Sequence, residues 1–312
     1  MKKFHLLLFL LSIYLNAFAQ SLSQKRIERV DKALVRIYVD NKPSGTGFFV
    51  NKEWILSNRH VIERAIIRDS ITKTVLSILP ISAKIHTSDI INVEISERQL
   101  IGDENDLSIA LDFVFLKIDP TQALEKNIDE KVEFLELGKW SDVEEGDLIY
   151  TSGYPLTINQ RFISKGVLST KFTSKEKLRT YKYVKNEKGE ILVNDKGDLV
   201  SITTYKDRDA AWADLTVNRG NSGGPVMKYS KFPKKDKVIG ITSFLLNPYY
   251  EIGELGAKHY MDLYIKNNEK GLTPNRQFSV LFESMSYSSF GIGGVISIDY
   301  ASSILEQLNR KQ

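Results

Sequence analysis

From Val35 onward, the chain is dominated by short apolar runs in which hydrophobic and polar positions tend to alternate. The run Val35–Val39 alternates in this way, and glycine, asparagine, aspartate or proline residues divide the later runs. The pattern predicts strands at residues 35–39, 46–50, 54–56, 113–118, 148–151, 166–170, 226–229, 238–244 and 294–298. Many short strands separated by turn residues are typical of an all-β sandwich or of a pair of β-barrels.

Helical patterns are confined to the two ends of the chain. Leu22–Lys32 is predicted to form a short helix, and Tyr300–Leu308 carries apolar residues at helical spacing directly after Asp299, which suits an N-cap. No Pro- or Ser-rich linker divides the chain, so we expect two lobes that pack as one domain. Three stretches that are mixed, highly charged, or long and aromatic are interpreted as insertions: residues 65–105, 171–210 and 246–289.

Residues 1–19 have the pattern of a secretory signal peptide. Two lysines precede an apolar run, Leu6–Leu15, and Ala17–Ala19 supplies the small residues that signal peptidase requires. The run is shorter than the roughly 20 residues that span a bilayer. We therefore expect cleavage before Gln20, export to the periplasm or the extracellular space, and no stable membrane anchor afterwards. The segment Gln20–Val30 is either a propeptide or a docking helix, and the sequence leaves both open.

Composition excludes several kinds of chemistry. The 312 residues include no cysteine, which excludes disulfides, zinc-thiolate sites, iron–sulfur clusters and a cysteine nucleophile. With four histidines in the chain, few residues are available for a histidine metal site. We expect no metal and no organic cofactor. A net charge of +4 is mild for this length and does not predict nucleic-acid binding. With 42% hydrophobic residues, the chain can bury a sizeable core.

The most specific local signal is the hexapeptide Gly220–Pro225, in which glycines flank Ser222. Glycines allow a tight turn and let a substrate carbonyl approach the serine. In such a turn the amides of Gly220 and Ser222 can point together and stabilise an oxyanion. The pattern therefore predicts a serine nucleophile with an adjacent oxyanion hole.

A serine nucleophile needs a base, and the base needs a carboxylate to orient it. His60 follows an apolar strand directly, whereas the other histidines of the mature chain, His86 and His259, do not follow a clean strand. Asp112 begins an apolar strand in which its polar side chain is otherwise unexplained, and Asp106 is the rival because it also precedes an apolar stretch. We favour His60 as the base and Asp112 as the carboxylate.

These motifs, in this order, resemble those of chymotrypsin-fold (trypsin-like) serine proteases, and within them the HtrA/Deg type. The matching segments are Gly45–Val50, Ile55–Val61, Asp112–Ile118, Asp214–Pro225, Val238–Thr242 and Gly291–Ser297. The resemblance implies an all-β fold of two six-stranded antiparallel β-barrels with a C-terminal helix. The protease domain would comprise residues 20–312, with barrels at about residues 33–138 and 145–298 and the helix at about residues 299–310. Deg proteases usually carry a PDZ domain after the catalytic unit, and none is expected here.

The resemblance also implies the function, namely an exported serine endopeptidase that acts on proteins or peptides through an acyl-enzyme. His60, Asp112 and Ser222 would form the triad. Thr216 and Val217 would lie at the floor of the substrate pocket, and one wall would consist of Ile241, Thr242 and Ser243. The absence of an acidic residue at the floor argues against cleavage after lysine or arginine and favours small or medium apolar side chains. A catalytically inactive binding or chaperone-like module, an esterase and a homo-oligomer remain open.

Overall fold

The structure is a computed structural model of the full chain. It describes residues 22–69, 75–95, 111–156, 160–178, 186, 192, 204–245 and 292–309. The predicted insertion 246–289, together with Asp106 and His259, lies outside the described residues. None of the helices in the described ranges combines the length and the apolar character needed to cross a membrane.

The first barrel is closed by six antiparallel strands from the N-terminal half of the chain. Its strands are β1 (Leu34–Val39), β2 (Lys42–Phe49), β3 (Trp54–Ser57), β6 (Ile81–Ile85), β7 (Ile90–Ile95) and β8 (Val114–Ile118). They follow one another around the barrel in the order β1-β2-β3-β8-β7-β6. A separate hairpin is formed by β4 (Ile66–Arg68) and β5 (Val75–Ile78). The helices of this half are α1 (Gln24–Ala33), α2 (Arg59–Ile62), α3 (Pro120–Glu125) and α4 (Ile128–Lys131).

The second barrel is also closed by six antiparallel strands. They are β9 (Leu148–Gly153), β10 (Phe162–Leu178), β11 (Thr204–Asp214), β12 (Pro225–Lys228), β13 (Val238–Leu245) and β14 (Ile292–Ser297). Their order around the barrel is β10-β11-β14-β13-β12-β9, and helix α5 (Asp299–Asn309) follows the last strand. The predicted fold class, two six-stranded antiparallel barrels with a C-terminal helix, is confirmed.

The interpretation of residues 65–105 as an insertion is wrong for strands β6 and β7, which are needed to close the first barrel. In β6 the buried residues Ile81, Ala83 and Ile85 alternate with half-buried Ser82 and Lys84, as expected for a strand with one face in the core. The interpretation of residues 171–210 as an insertion is also wrong for the two ends of this stretch. Residues 171–178 belong to β10 and pair with residues 204–211 of β11.

Among the described residues, three apolar clusters stabilise the barrels. One fills the interior of the first barrel, one fills the interior of the second, and the third lies between them. The cluster between the barrels combines aromatic residues of both, including Phe48 and Phe115 from the first and Tyr150 from the second. Residues of both terminal helices pack against this cluster, with Val30 and Ala301 completely buried. The two barrels therefore share one continuous apolar interface, and the terminal helices cover parts of it.

Helix α1 precedes the first barrel but is bound to the second. Arg26 is only 4% exposed and forms an ion pair of 2.7 Å with the fully buried Asp236. Asp236 also accepts hydrogen bonds from Tyr150 Oη, at 2.9 Å, and from the backbone amide of Ser230, at 2.7 Å. Arg29 donates to the carbonyl oxygens of Pro233 and Asp236. The segment that the sequence left as propeptide or docking helix thus includes residues that dock on the second barrel.

His86, which directly follows strand β6, is expected to make the first barrel sensitive to acid. Burial lowers the pKa of His86; Asp31 and Asp89 oppose this shift, whereas Lys32 and Lys131 add to it. The unfolded chain then binds more protons than the folded chain near pH 6, so stability should fall as pH decreases through the ordinary histidine range. In urea titrations at pH 7.5 and pH 5.5, we expect His86→Gln to lose less stability on acidification than the wild type. Equal losses would contradict this prediction.

Candidate active site

The pairing of β3 with β8 brings His60 and Asp112 together. Ser57 lies opposite Val114 in this ladder, so the residues just after β3 meet the residues just before β8. His60 lies in the short helix α2, whose Val61 and Ile62 are buried and fix it on the first barrel. The polar residues predicted as base and carboxylate therefore lie at one end of two adjacent strands, beside the cleft between the barrels.

Asp112 contacts His60 through both carboxylate oxygens. His60 Nδ1 lies 2.8 Å from Oδ2, and the His60 backbone amide donates to Oδ1 at 2.9 Å. The carbonyl of Asp112 accepts from Asn58 Nδ2 at 2.9 Å and from the Arg59 amide at 3.2 Å. A carboxylate only accepts, so it holds the imidazole proton on Nδ1 and leaves Nε2 as an acceptor. The imidazole side chain is 47% exposed, which leaves it accessible to a substrate.

Ser243 is a further hydrogen-bond donor to the Asp112 carboxylate. Its hydroxyl donates to Asp112 Oδ2 at 2.6 Å across the gap between the barrels. Burial by itself would raise the pKa of Asp112, but hydrogen bonds from His60 and Ser243 and the charge on His60 hold the pKa below its ordinary value. The carboxylate is therefore ionised at neutral pH, as an orienting partner for histidine has to be. The sequence placed Ser243 in a pocket wall and gave no signal for this contact.

Ser222 lies in a turn that depends on its flanking glycines. Gly220 has φ +99° and Gly223 has φ +85°, a region that side chains other than glycine rarely adopt. The Gly223 amide donates to Thr242 O at 2.8 Å, which anchors the turn on β13. A Cβ added to Gly223 would lie 2.4 Å from Ser57 Oγ and 3.1 Å from Asn58 N. The serine turn is therefore packed directly against the segment that leads to His60.

The peptide groups beside Ser222 are oriented by hydrogen bonds to their carbonyls. The Leu156 amide donates to Arg219 O, and the Gly224 amide donates to Asn221 O, each at 2.8 Å. In a trans peptide the N–H points away from the C=O, so these contacts direct the amides of Gly220 and Ser222 away from the supporting backbone. Within the described part of the chain, neither amide donates a hydrogen bond. The oxyanion hole formed by these two amides stays a prediction, and the orientation of the two peptide groups is compatible with it.

Three of the five residues predicted to line the pocket are instead part of the packed interior. Val217 is buried in the core of the second barrel, and Ile241 is buried between the barrels. Thr242 is also buried, and its hydroxyl meets Thr151 Oγ1 at 3.0 Å. The side chains of Val217, Ile241 and Thr242 therefore do not line an open pocket, because core contacts occupy them.

The other two predicted pocket residues remain accessible. Thr216 is exposed, and its backbone amide is bound by Ser164 Oγ at 2.9 Å. Ser243 is half-buried, with its hydroxyl directed at Asp112. Of the five predicted residues, Thr216 is thus the one that is exposed.

The described residues offer no place where three His, Asp or Glu side chains approach closely enough to hold a metal ion. Among the residues that the structure describes, Asp112 is the carboxylate that contacts His60, and it is also bound by Ser243. This donor set, one imidazole and one carboxylate joined to each other, suits proton transfer rather than metal ligation.

Comparisons with known proteins bear on the fold and on the family of the chain. No curated protein matches the chain in sequence. The HtrA-type protease AlgW with a tripeptide superposes with a TM-score of 0.50 at 16% identity, over 91% of this chain and 62% of that one. AlgW with a decapeptide gives a TM-score of 0.50 at 14% identity, over 91% of this chain and 66% of that one. The chain thus spans less than two thirds of these structures, and the likeness shows the fold.

The family assignment rests on a sequence model rather than on superposition. The model of the trypsin-like peptidase domain matches residues 45–241, a range that holds His60, Asp112 and Ser222. It begins in strand β2 and ends in strand β13, so that it includes the greater part of both barrels. This chain belongs to the family of trypsin-like peptidase domains.

Proposed function

We propose that the chain is an exported serine endopeptidase in which His60, Asp112 and Ser222 form the catalytic triad. The observation that carries the proposal is the contact of 2.8 Å between His60 Nδ1 and Asp112 Oδ2, which leaves His60 Nε2 to accept a proton. The half-buried Ser222, held by a turn packed against the residues before His60, supplies the nucleophile.

The mechanism follows from the roles of these groups. Ser222 Oγ attacks the carbonyl carbon of the peptide bond while His60 Nε2 accepts the hydroxyl proton. The amides of Gly220 and Ser222 bind the oxyanion that forms. His60 then gives its proton to the leaving amine, which produces an acyl-enzyme at Ser222. Water, activated by the same imidazole, hydrolyses the ester and restores the serine. Asp112 orients the imidazole throughout and stabilises its charged form.

The substrate class and the location are part of the same proposal. Residues 1–19 supply the signal pattern, and the cleaved product would act in the periplasm or the extracellular space on proteins or peptides. Thr216, which the family resemblance assigns to the pocket floor, is exposed and uncharged, and this supports cleavage after small or medium apolar residues rather than after lysine or arginine. A peptide library with all residues at the cleavage position measures this preference directly.

Labelling with a fluorophosphonate probe tests the proposal. The probe transfers its phosphonyl group to an activated serine Oγ with loss of fluoride, so the wild type is expected to label at one site. The Ser222→Ala variant, with its fold checked by circular dichroism, should not label. A wild type that neither labels nor cleaves any library peptide would contradict the proposal and favour an inactive binding or chaperone-like module. Labelling together with cleavage of esters but not of peptides would instead indicate an esterase.

A further inference from the structure

Thr46 belongs to the first barrel, but its hydroxyl binds two segments of the second. It lies on strand β2 and is completely buried. Its Oγ1 donates to Gly220 O at 2.6 Å, and the same oxygen accepts the Tyr154 amide at 2.9 Å. Thr46 and Gly220, which this hydrogen bond joins, are 174 positions apart in the chain.

The direction of both hydrogen bonds is fixed by their partners. The Tyr154 N–H can only donate and the Gly220 carbonyl can only accept, so the hydroxyl proton of Thr46 has to point at Gly220 O. A buried hydroxyl with both functions satisfied in this way has one orientation. Removing it would leave an unpaired amide and an unpaired carbonyl beside the serine turn.

The backbone of Thr46 contacts the same turn. Its amide donates to Ser222 O at 2.9 Å. Its carbonyl accepts from Ser57 Oγ at 2.6 Å, and a Cβ added to Gly223 would lie 2.1 Å from that oxygen. Thr46 therefore touches the carbonyls of Gly220 and Ser222, whose amides form the proposed oxyanion hole, and also the strand that leads to His60.

We propose that Thr46 is a positioning residue: its hydroxyl holds the oxyanion hole and Ser222 at the correct distance from His60. The inference rests on the proposed function and extends it to a residue outside the triad and the oxyanion hole. Thr46 does not touch substrate; it acts by holding the peptide between Gly220 and Asn221 against the first barrel. Loss of one oxyanion donor costs about 10²–10³ in kcat. A displaced donor should cost less, and we expect about a 10- to 100-fold loss.

The test compares Thr46→Val, which removes the hydroxyl at nearly constant volume, with Thr46→Ser, which retains it. Thr46→Val should lower both kcat and the rate of fluorophosphonate labelling by about 10- to 100-fold. KM should stay within about threefold of the wild-type value, because a displaced oxyanion hole weakens binding of the transition state more than binding of the substrate. Thr46→Ser should restore both to within about threefold of the wild type. A serine variant as slow as the valine variant, or a valine variant as fast as the wild type, would overturn the proposal.

A control separates positioning from general stability. Tyr150→Phe removes another buried hydroxyl bond, to Asp236, and is expected to lower stability without changing kcat. Hydrogen–deuterium exchange of residues 218–224 gives a readout that does not need activity: it should be faster in Thr46→Val and unchanged in Tyr150→Phe. If the wild type is inactive but this exchange difference is found, the proposed function fails while the positioning by Thr46 stands. If the exchange is unchanged as well, both fail.

Discussion

Asp112→Asn is expected to lower kcat by about 10⁴-fold while the fold is retained. Asparagine tolerates the left-handed backbone of Asp112, which has φ +60°, so the turn itself should not change. The carboxylate, however, accepts from three donors: the His60 amide, His60 Nδ1 and Ser243 Oγ. An amide has only one oxygen, and its NH₂ group would face a donor. The imidazole is then expected to carry its proton on Nε2, where it can no longer accept from Ser222.

The measurement is steady-state hydrolysis of the best library peptide, with unfolding curves to show that the variant is folded. Ser243→Ala is the matched control, because it removes one donor from Asp112 Oδ2 but leaves both His60 contacts in place. We expect a loss of kcat of less than about tenfold for this variant, the scale of one net hydrogen bond. A folded Asp112→Asn enzyme with a loss no larger than that of Ser243→Ala would show that Asp112 does not orient the base.

Arg26→Met should lower the free energy of unfolding by about 3–5 kcal/mol, the usual effect of removing one partner from a buried ion pair. Methionine retains much of the volume of arginine, so the loss reports on the charge of the guanidinium and its hydrogen bonds to Asp236 and Ser230 O. The Asp236 side chain would stay completely buried, and among the described residues its carboxylate would keep hydrogen bonds only from neutral donors, Tyr150 Oη and the Ser230 amide. Arg26 also stacks over the ring of Tyr229 at 4.0 Å, a contact that the variant loses as well.

Urea unfolding followed by circular dichroism measures the loss. Lys52→Met is the control, because Lys52 pairs with Asp129 at the surface, where the side chains are 69% and 44% exposed, and such pairs contribute about 0–1 kcal/mol. The double variant Arg26→Met with Asp236→Asn should be more stable than Arg26→Met alone, since the second change removes the unpaired charge. Equal losses for Arg26→Met and Lys52→Met would mean that helix α1 is not held by this ion pair.

The sequence alone was sufficient to select candidate site residues where the neighbouring residues along the chain define the local structure. His60 and Asp112 are polar residues at the ends of apolar strands, and Ser222 lies between glycines whose positive φ angles the turn requires. In each case a local pattern determines the local structure. The pairing of β3 with β8 then brings His60 and Asp112 into contact without further information.

The contacts that sequence reasoning missed depend on register and on distant partners. Strand β13 has an irregularity in its pairing with β14 between Thr242 and Phe244, at Ser243. A single extra residue of this kind changes which side chains face the core, so the family resemblance could not tell which of Ile241, Thr242 and Ser243 are buried. Strands β6 and β7 were missed for a different reason: their short alternating runs lie in a stretch of mixed composition, and only barrel closure identifies them.

The distance along the chain between Arg26 and Asp236, 210 residues, determines when helix α1 can acquire its buried partner. A chain made from its N-terminus presents Arg26 early, but Asp236 follows only after the whole first barrel and most of the second. Until then Arg26 has no ion-pair partner on the face that later becomes buried, and the part of the docking site that the second barrel supplies is incomplete. The first described helix to be synthesised is thus among the last to reach its final contacts, and a chain cut short before Asp236 would keep this face exposed to folding factors and proteases.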